Sequence, residues 1–190
     1  MLAAMPASPD ELLARLAELG IRTTTYEHPP VFTVEESKRL RGRLAGGHCK
    51  SLFVKDKADR LWLVVALEDR PVDLKGLRHR LEARKTLSFG SAELLMATLG
   101  VIPGAVTPFG VVNDREGRVT VVLERRMLAC DPLNYHPLVN DRTTAISPAD
   151  LVKFLRATGH EPLVLDFDDE PAAAGAGAGV ASARESSHLD

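Results

Sequence analysis

At 190 residues and 45% hydrophobic side chains, the chain is long enough to bury one continuous core and too short for two comfortable domains. Its two cysteines, Cys49 and Cys130, form no close pair and no Cys/His cluster at zinc spacing, which points to a reducing, cytoplasmic setting without a structural metal; residues 1–10 lack the pattern of a secretion signal, and no stretch is long and apolar enough to span a bilayer. The formal charge of −2 hides an acidic end, with six acids against Arg184 over residues 166–190, and a body of 23 bases and 20 acids that permits a polyanionic partner without demanding one.

Ser8-Pro9-Asp10-Glu11 opens a first helix, because serine caps it, proline sits in its first turn and the glutamate can return a hydrogen bond. Leu12, Leu13, Leu16 and Leu19 form its core face until Gly20 stops it. Residues 23–26 read as a short strand. His28-Pro29-Pro30-Val31-Phe32 must be extended, since a residue before proline is pushed out of the helical region. Thr33-Val34-Glu35-Glu36 repeats the capping pattern and opens a second helix, which carries the basic cluster Lys38, Arg39, Arg41 and Arg43 toward Gly42.

Residues 51–56 and 61–67 are apolar, β-rich runs around Lys57-Ala58-Asp59-Arg60 and predict an antiparallel hairpin, with Trp62 as packing. At its entrance, Gly46-Gly47-His48-Cys49-Lys50 places a cation in an apolar strand. If Lys50 faces inward it needs an anionic partner, which a ligand could supply; the alternative is a solvated strand-edge lysine. Asp73 caps a third helix with Leu74, Leu77 and Leu81 inward and Lys75, Arg78, Arg80, Arg84 and Lys85 as a second basic cluster. Ser91 caps a fourth, through Leu94, Leu95 and Leu99 to Gly100.

Residues 101–108 are too rich in proline for a helix and too apolar for a solvated loop, so a buried loop lining a site is expected. Residues 109–112 and 119–123 predict a second hairpin around Asn113-Asp114-Arg115-Glu116-Gly117. A strand follows at 143–146, then a helix capped by Ser147 with Leu151, Phe154 and Leu155 inward and Gly159 at its end, then a last strand within 162–167. Beyond Pro171 the Ala/Gly repeat cannot bury a core. The expected fold is a mixed α/β domain over 1–167, a largely antiparallel sheet flanked by helices, with a disordered acidic and Ala/Gly tail at 168–190. The glycines at 42–47 precede a strand rather than open a helix, which is not a phosphate-binding fingerprint.

The chain has no Gly-x-Ser-x-Gly elbow, no His-Glu-x-x-His and no recognisable carboxylate pair. Cys49 beside His48 invites a nucleophile, but neighbours along a regular strand point to opposite faces. Cys49 therefore reads as a small buried hydrophobe, with a thiol-dependent hydrolase as the alternative. His136, held before Pro137, is the better site candidate.

Gly46-Gly47-His48-Cys49-Lys50, the loop Gly104-Ala105-Val106-Thr107-Pro108 and Asn134-Tyr135-His136-Pro137-Leu138-Val139-Asn140 occur together and in this order. With the supporting stretches at 28–33 and 144–148, they resemble the YbaK/prolyl-tRNA synthetase-associated editing domains over roughly residues 8–165. The likeness is greatest to the free-standing PrdX/ProX-type branch that deacylates alanyl-tRNA(Pro). The resemblance implies a trans-editing hydrolase, without cofactor, that cleaves the ester joining a wrong amino acid to the 3′-terminal adenosine of tRNA(Pro). Its partners would be the tRNA(Pro) acceptor end and prolyl-tRNA synthetase, with no role for DNA or membrane. An aminoacyl ester is already activated, so a positioned water and a stabilised oxyanion can supply much of the rate without a triad.

By the same resemblance Lys50 is the essential residue, engaging the substrate's terminal phosphate or carbonyl region. Gly104 and Ala105 offer backbone N–H groups to the carbonyl oxygen in a loop fixed by Pro108, and His136 helps set the amino-acid pocket. Phe32, Thr33, Ser51, Pro108 and Asn140 are further substrate contacts; separately, the basic clusters make Lys38, Arg39, Arg41, Arg43, Arg78 and Arg80 candidates for the acceptor stem. The chain departs from the pattern at Ser51, where the alanine-specific branch carries asparagine; serine keeps a hydrogen-bonding group but loses the amide's reach. Serine, cysteine or 2-aminobutyrate thus remain alternative substrates, since hydrophobic selectivity for one methylene is only about 10–200-fold. A non-catalytic module that binds tRNA or synthetase is the other reading.

Overall fold

In the computed structural model of the chain, the described residues are 5–31, 34–42 and 44–168. In chain order they form α1 (Pro9–Glu18), β1 (Thr23–Glu27), α2 (Val34–Arg41), β2 (Gly47–Lys55), β3 (Leu61–Leu67), α3 (Leu74–Arg80) and β4 (Ser88–Phe89). There follow α4 (Ala92–Leu99), a 3-10 helix (Pro108–Asn113), β5 (Val119–Glu124), a second 3-10 helix (Arg125–Ala129), β6 (Leu133–Tyr135), β7 (Arg142–Ile146), α5 (Pro148–Ala157) and β8 (Leu163–Leu165). The helix starts are those their caps predict: Ser8 and Glu11 close a reciprocal capping box, and Asp73, Ser91 and Ser147 accept from first-turn N–H groups. The cap expected at Thr33 lies outside the described residues.

The strands form one mixed sheet in the order β1-β7-β6-β2-β3-β5-β8, with β4 also on β2. Four pairings are antiparallel (β1/β7, β7/β6, β2/β3, β2/β4) and three are parallel (β6/β2, β3/β5, β5/β8). β2 joins the two halves: Gly47 and His48 pair with Leu133 and Asn134 of β6, and from Cys49 to Lys55 the strand runs against β3. Glycine is required at this seam. Gly46 has φ 99°, and a Cβ there would lie 2.1 Å from the Pro132 carbonyl oxygen; one on Gly47 would lie 2.8 Å from the Cys130 Cβ.

Side chains alternate across the sheet. Phe53, Leu63, Val65, Val121 and Leu123 pack with α1, α4 and α5 through Leu16, Leu99, Phe154 and Leu155. Leu52, Val54, Trp62, Val64 and Val122 pack with Leu74, Leu77 and Leu81 of α3 and its flank, and with Phe167. β3 and the middle of β5 are thus covered on both faces, as continuous apolar runs require.

The second predicted hairpin is not formed. Residues 108–113 are a 3-10 helix capped by Thr107, and Gly110 passes so close to α4 that a Cβ would meet Leu99 Cβ at 3.0 Å. Phe109 is fully buried, edge-on to Tyr135 and Phe154 at 5.9 and 5.6 Å between ring centroids. Pro108 supplies no backbone donor for a strand pairing, and β5 instead runs parallel to β3 and β8. The Asn-Asp-Gly turn survives as a local device: the Asp114 carboxylate accepts from the N–H groups of Arg118 and Val119 and from the buried His160 ring at 3.0 Å. Of the expected tail only Asp168 is among the described residues.

Candidate active site

Where β2 passes from β6 to β3, a cavity of about 80 Å³ opens. It is bordered by His48, Cys49 and Ser51 from β2, by Asn134, Tyr135 and His136 from β6 and the residue after it, and by Val31, Glu68, Val106 and Thr143. His48 and Cys49 border the same cavity, which regular strand alternation did not lead one to expect. They stand where β2 changes neighbours, and the His48 ring Nε2 lies 3.1 Å from the Leu44 carbonyl oxygen.

His136 has a defined tautomer. Its Nδ1 lies 2.9 Å from the Arg142 carbonyl oxygen, which can only accept, so Nδ1 carries the proton and a neutral ring presents Nε2 as a lone pair. Burial lowers its pKa from the ordinary histidine value, opposed in part by that hydrogen bond. The His28 ring is 6.3 Å away between centroids. It is fixed the same way: Nδ1 donates to the Pro29 carbonyl at 2.9 Å, and Nε2 accepts from the Thr143 hydroxyl at 2.8 Å.

Asn134, 4% exposed, is also oriented by its surroundings. Its amide nitrogen donates to the carbonyls of Ala45 and Gly47 at 2.9 and 3.3 Å, which leaves Oδ1 buried without a hydrogen-bond partner among the described residues. Burial pushes the Cys49 thiol up to about 12, with the Tyr135 hydroxyl opposing in part. Such a thiol is protonated at neutral pH and is not a ready nucleophile. Tyr135, whose own pKa burial raises, donates its hydroxyl to Met127 Sδ at 3.2 Å.

Of the residues singled out from the sequence, Ser51 and His136 meet at this cavity. Lys50 does not border it: its side chain shares the sheet face of Leu52 and Val54, and its ammonium donates to the Arg70 carbonyl. Gly104 is exposed at φ 90°, with nothing within 4 Å of a would-be Cβ, so its glycine serves backbone conformation. Ala105 is fully buried and donates its N–H to the Ile102 carbonyl at 3.0 Å; in this conformation Gly104 is the member of the pair left for a substrate to meet. Val106 carries the loop to the cavity, whereas Pro108 is buried at the start of its 3-10 helix and Asn140 is half-buried away from the cavity lining.

Phe32, Thr33 and Arg43 lie outside the described residues, as does the side chain of Arg41. Lys38 and Arg39 are exposed on α2. Arg78 donates to the Lys85 carbonyl at 2.7 Å and Arg80 to that of Asp166. Asn134, Glu68 and the His28–Thr143 pair are further residues of the site that the sequence pattern does not single out. For His28 and Asn134 the signal was present, since both stand within the quoted motifs.

Residues 28–154 match the aminoacyl-tRNA editing domain. Prolyl-tRNA synthetase associated domain-containing protein 1 of Danio rerio is 42% identical over 160 residues, covering 83% of this chain and 86% of that protein. Prolyl-tRNA editing protein ProX of Acetoanaerobium sticklandii is 37% identical over 150 residues, covering 78% and 91%. A crystal structure described as "a putative trans-editing enzyme for prolyl tRNA synthetase" superposes with a TM-score of 0.67 at 18% identity, over 87% of this chain and 99% of that one, a likeness of fold.

Proposed function

The chain belongs to the aminoacyl-tRNA editing domain family, and from that premise we propose that it is a trans-editing hydrolase that deacylates mischarged tRNA(Pro), with alanyl-tRNA(Pro) as its main substrate. Water adds to the ester carbonyl and the C–O bond to the terminal ribose breaks, releasing the free amino acid and a tRNA with its 3′ end restored. The observation that carries the reading is the small cavity at the β2 seam, where a neutral His136 presents the Nε2 lone pair. That lone pair suits an N–H of the substrate's α-ammonium, and a cavity of about 80 Å³ suits a small side chain. Lys50 exchanges the Arg70 carbonyl for the substrate's terminal phosphate or ester carbonyl, and the Gly104 N–H meets the developing oxyanion. The vicinal ribose hydroxyl assists the water. The enzyme acts in the cytoplasm on the tRNA(Pro) acceptor end, beside prolyl-tRNA synthetase.

Ser51 on the cavity wall favours a second reading of the same chemistry, in which serine, cysteine or 2-aminobutyrate is the main amino acid removed. To test both, tRNA(Pro) is loaded separately with Ala, Ser, Cys, 2-aminobutyrate and Pro, and ester loss is followed with wild type and Lys50→Ala. Alanine should be released fastest and proline retained, with Lys50→Ala slower by roughly 10²–10³-fold, as for loss of one transition-state donor. Equal rates for the two proteins would sink the mechanism. Faster release of another small amino acid would establish the second reading.

A further inference from the structure

A second cavity, of about 310 Å³, lies on the sheet face of Lys50, bordered among others by Arg70, Val72, Arg80, Phe167 and Asp168. Its charged wall is unusual in what fills it. The Arg70 side chain is 17% exposed, and its buried Nε has no hydrogen-bond partner among the described residues, the Glu124 carboxylate standing off at 3.7 Å. The Asp168 carboxylate bridges two arginines, with Oδ1 on Arg70 Nη2 and Oδ2 on Arg126 Nη2. Arg80 donates to the Asp166 carbonyl and so holds the same segment down, while the Lys50 ammonium rests on the Arg70 carbonyl.

A monoanion with one oxygen on each of two guanidinium groups is how the two non-bridging oxygens of a phosphodiester would be held. Resting on the tRNA reading above, we infer that Arg70 and Arg126 form a backbone-phosphate site and that Asp168 is its resident competitor, which an incoming tRNA phosphate must displace. Asp169 and Glu170 follow directly in the sequence, so the segment that carries the competitor is itself polyanionic. The competitor is tethered, so it acts at a high effective concentration and weakens tRNA binding without touching the ester.

The test uses the full chain and uncharged tRNA(Pro), with binding followed by fluorescence anisotropy over a salt series. Asp168→Asn should tighten binding roughly three- to tenfold at low salt, the scale of two exposed ion pairs. Arg126→Ala should weaken it and lower the magnitude of the log–log salt slope by about 0.7–0.9, one phosphate contact. On the Arg126→Ala background, Asp168→Asn should gain less, because only the contact with Arg70 is then left to release. Hydrolysis of a phosphate-free 3′-aminoacyl adenosine should be unchanged by Asp168→Asn. Unchanged or weaker tRNA binding by Asp168→Asn overturns the inference, as does an equal gain on the Arg126→Ala background, which would be a net-charge effect. Binding of uncharged tRNA does not depend on ester hydrolysis, so this result stands or falls apart from the deacylase assay.

Discussion

Cys49 separates water attack from thiol attack by a rate measurement. With its thiol pushed up to about 12 by burial, roughly one molecule in ten thousand carries the thiolate at pH 8, against about a quarter for a free cysteine of pKa near 8.5. The more basic thiolate is intrinsically more nucleophilic. A Brønsted coefficient of about 0.4–0.5 recovers roughly 40-fold of that difference of about 2,000, leaving exchange with a small aromatic disulfide slower by about 50-fold at pH 8. Shielding alone could slow the reaction, so the shape of the pH dependence decides. In a Cys130→Ala background the Cys49 rate should rise tenfold per pH unit through pH 10, where an ordinary thiol would already have levelled off. Cys49→Ala should cost on the order of 1 kcal/mol of stability and leave ester hydrolysis close to wild type. A plateau below pH 9, or loss of deacylation in Cys49→Ala, would refute the reasoning.

Burial lowers the His136 pKa below the ordinary 6.5, so deacylation should fall on an acid limb centred below pH 6.5, a limb that His136→Ala removes along with roughly 10²-fold of the rate. The linkage has the same sense: with the folded pKa depressed, the contribution to stability is full above the unfolded value and is lost as pH falls toward the folded one. A limb centred above 6.5 in the pH–rate profile would contradict this. Asp56 sits fully buried between the N–H groups of Ala58, Arg60 and Arg84 and the Arg60 side chain, which together hold its carboxyl at about 2 against the cost of burial. Asp56→Ala strands those donors and should destabilise by on the order of 3 kcal/mol at pH 7. Because the folded pKa lies below the unfolded value near 3.9, the carboxylate's share is present above about pH 4 and fades toward about pH 2; a wild-type to mutant gap in Tm that stays constant down to pH 2 would count against it.

Most of the fold could be read from local chemistry. Ser8, Asp73, Ser91 and Ser147 start helices because a short polar side chain satisfies orphan N–H groups within three residues, a purely local event. The 109–123 segment could not be read this way. Whether Phe109 enters a strand or a 3-10 helix is decided by Leu99, Tyr135 and Phe154, which are distant in sequence or on another element. Likewise the seam at Gly46 and Gly47 is dictated by the Pro132 backbone and the Cys130 side chain, far along the chain. In the site, His136 could be picked out beside its proline, but its tautomer depends on the Arg142 carbonyl, and the orphaned Asn134 Oδ1 depends on where Ala45 and Gly47 spend their acceptors. The two arginines that clasp Asp168, Arg70 and Arg126, come from separate segments and share no spacing that a sequence pattern could expose.

Strand alternation sets Lys50 and Ser51, neighbours in one motif, on opposite faces of the sheet, and this divides the proposed work between them. Ser51 stands with His136 at the cavity sized for a small amino acid. Lys50 stands with Arg70, next to the arginines whose occupant is a carboxylate. The serine found where asparagine is expected therefore bears on which amino acid fits, while the lysine, proposed to meet the terminal phosphate or the ester carbonyl, bears on whether the ester is held in place at all. Under this division, changes at Ser51 should redistribute rates among differently acylated tRNA(Pro) substrates, and changes at Lys50 should slow all of them by a common factor. A Lys50→Ala enzyme that merely reordered its amino-acid preference would place the lysine at the side-chain pocket instead and break the division.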